Sequence, residues 1–219
     1  MRGVLFDVGY TLMDESDRLE RALRWLSAPL GKTAAELHER YAAACARPRH
    51  QIPSLIVQTL LDMGVPHDEA DALRKALPWD VVPLTPYADA VDAVRALKDA
   101  SIRIGVLANQ PASARDDLER TGLAALFDDI WLSDAVGLAK PDPAFFQLAL
   151  DAWGFEPSTV AYVGDRPDND TKPAKALGLY TVRVLLGPHE QQAPKEDSER
   201  ADASVATLNA AAVHLLARK

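Results

Sequence analysis

From residue 80 onward the chain alternates between two textures, and this alternation limits the possible folds more than any other feature. The runs "IRIGVLA" (residues 102–108), "DIWL" (129–132), "TVAYV" (159–163) and "TVRVLL" (181–186) are short, apolar and bounded by turn residues, as is "GVLFDV" (3–8) at the start. Such runs fit strands covered on both faces, as in a parallel sheet. Helical patterns lie between them. "PYADAVDAVRALKDA" puts Val91, Val94 and Leu97 on one face, "PASARDDLERTG" stops at Gly122, and "DPAFFQLALDAWG" opens on Asp-Pro and stops at Gly154. Strand–helix alternation predicts an α/β class, a doubly wound parallel sheet with its sites beyond the carboxyl ends of the strands.

Residues 14–80 carry no convincing strand. Their periodicity predicts four short helices, over 16–27, 33–46, 53–63 and 67–77. Thr33 and Glu36 form a capping box, Pro29 and Pro48 interrupt, and Gly64 and Pro78 close the last two. An insertion directly after the first strand is expected to sit over the strand ends. The expected division is therefore a core of residues 1–13 and 81–219 and a small all-helical cap domain of 14–80, with 78–86 as the return linker. The segment "GPHEQQAPKEDSER" (187–200) is nearly devoid of apolar residues and reads as a solvated loop.

Composition narrows the partners. A net charge of −8 argues against nucleic acid or an anionic membrane surface, since both need a basic footprint. One cysteine, Cys45, excludes an intrachain disulfide and suits a reducing compartment. The apolar stretches are strand-length and there is no signal-peptide pattern, so a cytoplasmic enzyme is expected. Oligomeric state is left open.

Chemistry gathers just past the strands. Asp7 follows the first, Ala108-Asn109-Gln110 the second, "GLAKPDPAFF" with Lys140 the third, and "GDRPDND" with Asp165 and Asp170 the fourth. On a parallel sheet these three carboxylates and one lysine converge on one rim. Hard oxygen ligands suit Mg²⁺ with a substrate phosphate. Asp7 could attack phosphorus to form an aspartyl phosphate, and Lys140 could neutralise both that carboxylate and the transferring group.

On "FDVGYTL", the helical insertion, "KPDPAFF" and "GDRPDND", in this order and spacing, the sequence resembles the haloacid dehalogenase-like (HAD) hydrolase superfamily over nearly its whole length. The resemblance implies a Rossmann-like core, a helical cap, Mg²⁺ as cofactor and Asp7 as nucleophile. It implies Asp165 and Asp170 as metal-side acids, Lys140 as the neutralising lysine, and the backbone carbonyl of Gly9 as a further metal ligand. Two positions depart from the pattern. Gly9 stands where family phosphatases carry a second aspartate that protonates the leaving group, and Ala108 stands where they carry a phosphate-binding Ser or Thr. Asn109 or Thr11 is expected to supply the missing donor.

Bland readings compete at several positions. Asp168 is either a further ligand or a helix cap, and Arg166 reads as a rim residue. Tyr10 is either a substrate contact facing the cap or a turn residue. The basic stretch 47–51 either overhangs the pocket or is a solvated loop. The histidines at 38, 50, 67, 189 and 214 lack metal-ligand spacing, and Trp25, Trp79, Trp131 and Trp153 read as packing. Three functions follow: a Mg²⁺-dependent phosphohydrolase acting on a small phosphorylated metabolite, a 2-haloacid dehalogenase, which needs no leaving-group proton, or a weakly active or non-catalytic homologue that binds such a ligand.

Overall fold

The structure is a computed structural model and describes residues 1–47, 54–78 and 82–218. The five apolar runs become parallel strands, β1 (Gly3–Phe6), β4 (Arg103–Ala108), β5 (Asp129–Leu132), β6 (Val160–Gly164) and β7 (Tyr180–Val184), and a sixth that the pattern did not announce, β8 (Ala203–Val205), joins them in the order β5-β4-β1-β6-β7-β8. The chain builds outward from β1 on one side through β4 and β5, then returns to build β6, β7 and β8 on the other. The topological switch therefore flanks β1, where an open parallel sheet leaves a crevice at its carboxyl edge.

Pleating sorts the side chains. Val4 and Phe6 join Val106, Val163 and Val182 on one face, under α5 (Ala90–Asp99) and α10 (Leu208–Leu216). Leu5, Leu107 and Tyr162 point to the other face, against Phe145, Phe146 and Trp153 of α8 (Pro143–Trp153). Both faces are buried, which is why the strands read as continuous apolar runs. Three further helices, α6 (Ala114–Arg120), α7 (Ser133–Val136) and α9 (Lys172–Ala176), complete the layers.

Between β1 and β4 the chain leaves and re-enters through a two-stranded antiparallel ribbon, β2 (Met13–Asp14) with β3 (Thr85–Pro86). The excursion holds α1 (Ser16–Leu30), α2 (Ala34–Ala46), α3 (Leu55–Asp62) and α4 (His67–Lys75) around their own apolar cluster, including Leu23, Leu26, Leu37, Tyr41 and Leu60. The capping box forms: Thr33 Oγ1 accepts from Glu36 N and Thr33 N donates to Glu36 Oε2 at 2.8 Å. Arg18 of α1 reaches across to α6, donating to Asp117 Oδ2 at 2.6 Å and to the Val82 carbonyl.

Two expectations are corrected. Pro29 does not interrupt α1, which runs on to Leu30 and closes at Gly31 with left-handed φ. A proline one residue from the helix end forfeits a single backbone bond in the last turn, a small loss against the buried face of Leu19, Leu23 and Leu26. Residues 187–200 are not simply a solvated loop either. They make two 3₁₀ turns and bury His189, Gln192 and Glu199, because their polar groups find partners inside the protein. Arg183 donates to the His189 carbonyl, Gln192 donates to Asp168, and Glu199 accepts from Lys195 N. Of the stretch 47–51 only Arg47 lies within the described residues, where it pairs with Asp62. His50 and Trp79 lie outside them.

Candidate active site

Where β1 ends, Asp7 N still donates to the Val163 carbonyl of β6, and the chain then folds back on itself. Leu12 N and Met13 N both donate to the Val8 carbonyl, and Tyr10 N donates to the Met13 carbonyl. This compact turn, with Tyr10 at φ +52°, leaves Asp7 at the sheet edge while starting the ribbon that leads to the helices.

Lys140 reaches the same point from the loop before α8. Its main chain is held by Asn109, whose Oδ1 accepts from Lys140 N at 2.7 Å and whose Nδ2 donates to the Lys140 carbonyl at 2.8 Å. Its ammonium, 2 % exposed, has three neighbours: Asp7 Oδ1 at 2.8 Å, Asp170 Oδ1 at 2.6 Å and the Tyr162 hydroxyl at 2.8 Å. Tyr162 in turn donates to the Leu107 carbonyl. All three donors of the lysine are therefore committed.

"GDRPDND" supplies the remaining carboxylates from β6 and the wide π turn Pro167–Thr171. Asp170 Oδ2 accepts from Arg166 N at 3.0 Å. Position 164 has to be glycine, because a Cβ there would lie 2.5 Å from Asp170 Oδ2. Asp165 is 1 % exposed and neither of its oxygens has a hydrogen-bond partner among the described residues. Oxygens of Asp7, Asp165 and Asp170 lie within 4.8 Å of one another.

Three buried carboxylates thus face one buried ammonium, a deficit of two positive charges if all are ionised. Burial pushes the Asp7 carboxyl up to about 6, with Lys140 opposing and Asp170 adding to the rise. Burial, Asp170 and Asp7 drive Asp165 well above the usual carboxylate range. Burial alone would lower Lys140, but Asp170 and Asp7 hold it above its ordinary value. An orphaned carboxylate in a cluster two charges short is the donor set a hard divalent cation fits.

A cleft of about 1170 Å³ opens beside this cluster, between the strand ends and the helices, lined by Asp7, Gly9, Tyr10, Asn109, Lys140 and Asp165 among others. Its volume accommodates a small metabolite. Thr11 does not line it: that residue is fully buried and its Oγ1 has no partner among the described residues. Tyr10 packs edge-to-face on His189, centroids 6.2 Å apart. Arg166, part of the cleft wall, forks onto Asp168 at 3.2 and 2.7 Å, so Asp168 is neither a helix cap nor one of the three clustered acids.

Sequence reasoning passed over three residues here. His189 Nε2 lies 3.9 Å from Asp165 Oδ2, brought there by a segment whose polar composition gave no sign of burial. Tyr162 looked like one more apolar strand residue. Glu15 also lines the cleft, with Oε1 accepting from Gln110 Nε2 at 2.6 Å, and burial raises its carboxyl to about 7, Gln110 opposing and Asp7 adding. For Glu15 half a signal was present: Gly9 marked a missing carboxylate, but the turn that brings position 15 beside it is not written in the pattern.

A family model described as haloacid dehalogenase-like hydrolase matches residues 1–178, and the chain belongs to that family. It is 36% identical over 126 residues to the glyceraldehyde 3-phosphate phosphatase of Methanocaldococcus jannaschii, a match covering 57% of this chain and 54% of that protein. The chain thus spans about half the length of that relative. It is 31% identical over 201 residues to the phosphoglycolate phosphatase of Rhodospirillum rubrum, covering 85% of this chain and 80% of that one. Among solved structures, the HAD-hydrolase YfnB of Bacillus subtilis, crystallised with magnesium, superposes with a TM-score of 0.74 at 18% identity, over 98% of both chains. That likeness is one of fold. Among the described residues no helix is long and apolar enough to cross a membrane.

Proposed function

We propose that this hydrolase is a Mg²⁺-dependent phosphatase that cleaves a small phosphorylated metabolite through an aspartyl phosphate at Asp7. One observation carries the reading: the Lys140 ammonium sits between Asp7 and Asp170, while the buried Asp165 carboxylate beside them has no hydrogen-bond partner among the described residues. The carboxylates of Asp7, Asp165 and Asp170 and the Gly9 carbonyl would hold the cation, with residues 14–80 as a cap over them. When bound, Mg²⁺ supplies positive charge against the phosphoryl oxygens.

This chain's own residues do the rest. Lys140 keeps Asp7 ionised and aimed, so that its carboxylate oxygen forms a bond to phosphorus as the ester P–O bond breaks. Asn109 fixes the lysine's main chain, and its second Nδ2 hydrogen is free of that pairing for a phosphoryl oxygen. Tyr10 lines the cleft beside them, whereas Thr11, fully buried, does not reach it. Relatives named as phosphatases of glyceraldehyde 3-phosphate and phosphoglycolate support a short, anionic, phosphorylated substrate.

The test is a panel of metabolite phosphates assayed with Mg²⁺ and with EDTA, using wild type and Asp7→Asn. Metal-dependent phosphate release that the substitution abolishes is the expected result. Wild-type rates in Asp7→Asn would overturn it. Gly9 favours a second reading, a haloacid dehalogenase, because halide departs without a proton. Chloride release from a 2-chloroacid in EDTA would establish that reading instead; against it, three clustered buried carboxylates, one of them without a hydrogen-bond partner among the described residues, favour a site that holds a metal.

A further inference from the structure

Gly9 removes a carboxylate from the sequence position where the resemblance expects one, yet the space beside it is not empty. A Cβ built on Gly9 would lie 2.5 Å from Glu15 Oε1 and 2.7 Å from Glu15 Cδ. A carboxyl group therefore occupies the volume into which any side chain at position 9 would project. It arrives from six residues downstream, from the junction where β2 passes into α1. Positions 9 and 15 thus compete for one volume, and here the Glu15 carboxyl fills the space that a side chain at position 9 would take.

The other cleft-lining acids outside the Asp7 cluster are committed elsewhere. Asp71 is paired with Arg74 and Lys75, and Asp134 accepts from Ala112 N. Glu15 instead meets a neutral amide, Gln110 Nε2, which fixes the direction of Oε1 without neutralising it. It shares the cleft wall with Asp7 and Gly9. A side chain so held, uncharged in its partner and open to the cleft, is placed to exchange a proton with a bound ligand.

We propose that Glu15 is the general acid and base of the reaction, taking from position 15 the role that position 9 has given up. The proposal rests on the phosphatase reading above. As Asp7 bonds to phosphorus and the ester P–O bond breaks, the Glu15 carboxyl gives its proton to the departing oxygen, which leaves as an alcohol. The resulting carboxylate then takes a proton from water as that water's oxygen attacks phosphorus. The bond from phosphorus to Asp7 breaks, inorganic phosphate leaves, and Glu15 is again protonated.

Leaving groups read this role directly. Two esters of similar shape serve: p-nitrophenyl phosphate, whose leaving group departs without a proton, and benzyl phosphate, whose leaving group needs one. Each is assayed by kcat/KM with Mg²⁺ in wild type, Glu15→Gln and the double variant Gly9→Asp/Glu15→Ala. Wild type is expected to cleave both. Glu15→Gln, which keeps the shape and the Gln110 contact, is expected to lose ~10²–10⁴-fold on the benzyl ester and under ~10-fold on the nitrophenyl ester, where no proton is owed to the leaving group. The double variant is expected to recover most of the benzyl activity, since the aspartate then enters a vacated space.

Equal losses on the two esters in Glu15→Gln would make Glu15 a structural residue, and no loss on either would remove it from the reaction. A folded double variant as poor on the benzyl ester as Glu15→Gln would also overturn the assignment. So would a wild type that cleaves only the nitrophenyl ester. A wild type inert on both esters and on the metabolite panel defeats the phosphatase reading itself, which separates that failure from a failure of Glu15 alone.

Discussion

The ammonium of Lys140 lies 2.8 Å from Oδ1 of Asp7, both groups almost sealed from solvent at the end of the central strand. The same ammonium holds Asp170 at 2.6 Å, so one cation serves two carboxylates on different elements. Lys140→Met should therefore do two things at once. Removing one partner of a buried pair costs about 3–5 kcal/mol, and losing charge stabilisation at the reacting group costs on the order of 10²–10³ in kcat. Denaturant unfolding and a phosphatase assay on the same preparation check both. A variant as stable as wild type would mean that the cluster is not held by this lysine.

Asn109 touches Lys140 only through its main chain, by two hydrogen bonds of 2.7 and 2.8 Å. Asn109→Ala should leave the ammonium present but badly aimed. Two such bonds contribute about 1–3 kcal/mol together, so kcat is expected to fall ~10–100-fold. Asn109→Asp keeps an acceptor for Lys140 N and loses the donor to its carbonyl, so it should fall between wild type and alanine. If alanine altered only KM, Asn109 would act on the phosphate and not on the lysine.

The framework of this site was legible because it is written locally. Apolar runs covered on both faces announce buried parallel strands, and Asp7, Asn109, Lys140, Asp165 and Asp170 sit where those strands end. What escaped was decided by packing between distant segments. Residues 187–200 look like solvent-exposed chain, yet Arg183 and Asp168 give their polar groups partners, and His189 comes to lie beside Asp165. Strand β8 is three residues long, too short for alternation to register. Glu15 reaches the cleft wall only because the turn at 8–13 doubles the chain back, a geometry that no periodicity encodes. Pro29 misled for the converse reason, since a local breaker signal yielded to the burial of the helix face.

Charge in the cluster makes stability depend on pH and on metal together. The folded-state carboxyls of Asp7 and Glu15 are raised to about 6 and about 7, above their unfolded values of 3.8 and 4.5. Between those limits the folded protein binds protons that the unfolded chain has released, so stability falls as pH rises through that window. Surface carboxyls held low, such as Asp71 and Glu36, finish titrating below it and do not reverse the sign. In EDTA the melting temperature should therefore drop from pH 5 to pH 8. A cation held as proposed would bind the ionised carboxylates, so Mg²⁺ should raise the melting temperature more at pH 8 than at pH 5. A melting temperature that climbs with pH in EDTA would contradict the buried charge deficit.

The helical segment and the sheet are joined by Arg18 and Asp117, 2.6 Å apart and both buried, with Arg18 also bound to the Val82 carbonyl and Asp117 also accepting from Arg120. Arg18 lines the cleft as well, so this pair ties the α1 side of the cleft to α6 of the core. Asp117→Asn keeps the shape and removes the charge, leaving a buried guanidinium without its anion. A destabilisation of about 3–5 kcal/mol is expected from that loss. Asp117→Asn combined with Arg18→Met removes both charges and should recover a good part of it, since an apolar side chain of similar length is easily buried. Because the pair lies outside the Asp7 cluster, the double variant should shift KM more than kcat. Urea unfolding of wild type, both single variants and the double variant gives the coupling energy, and additive losses would show that the two residues do not act as a latch.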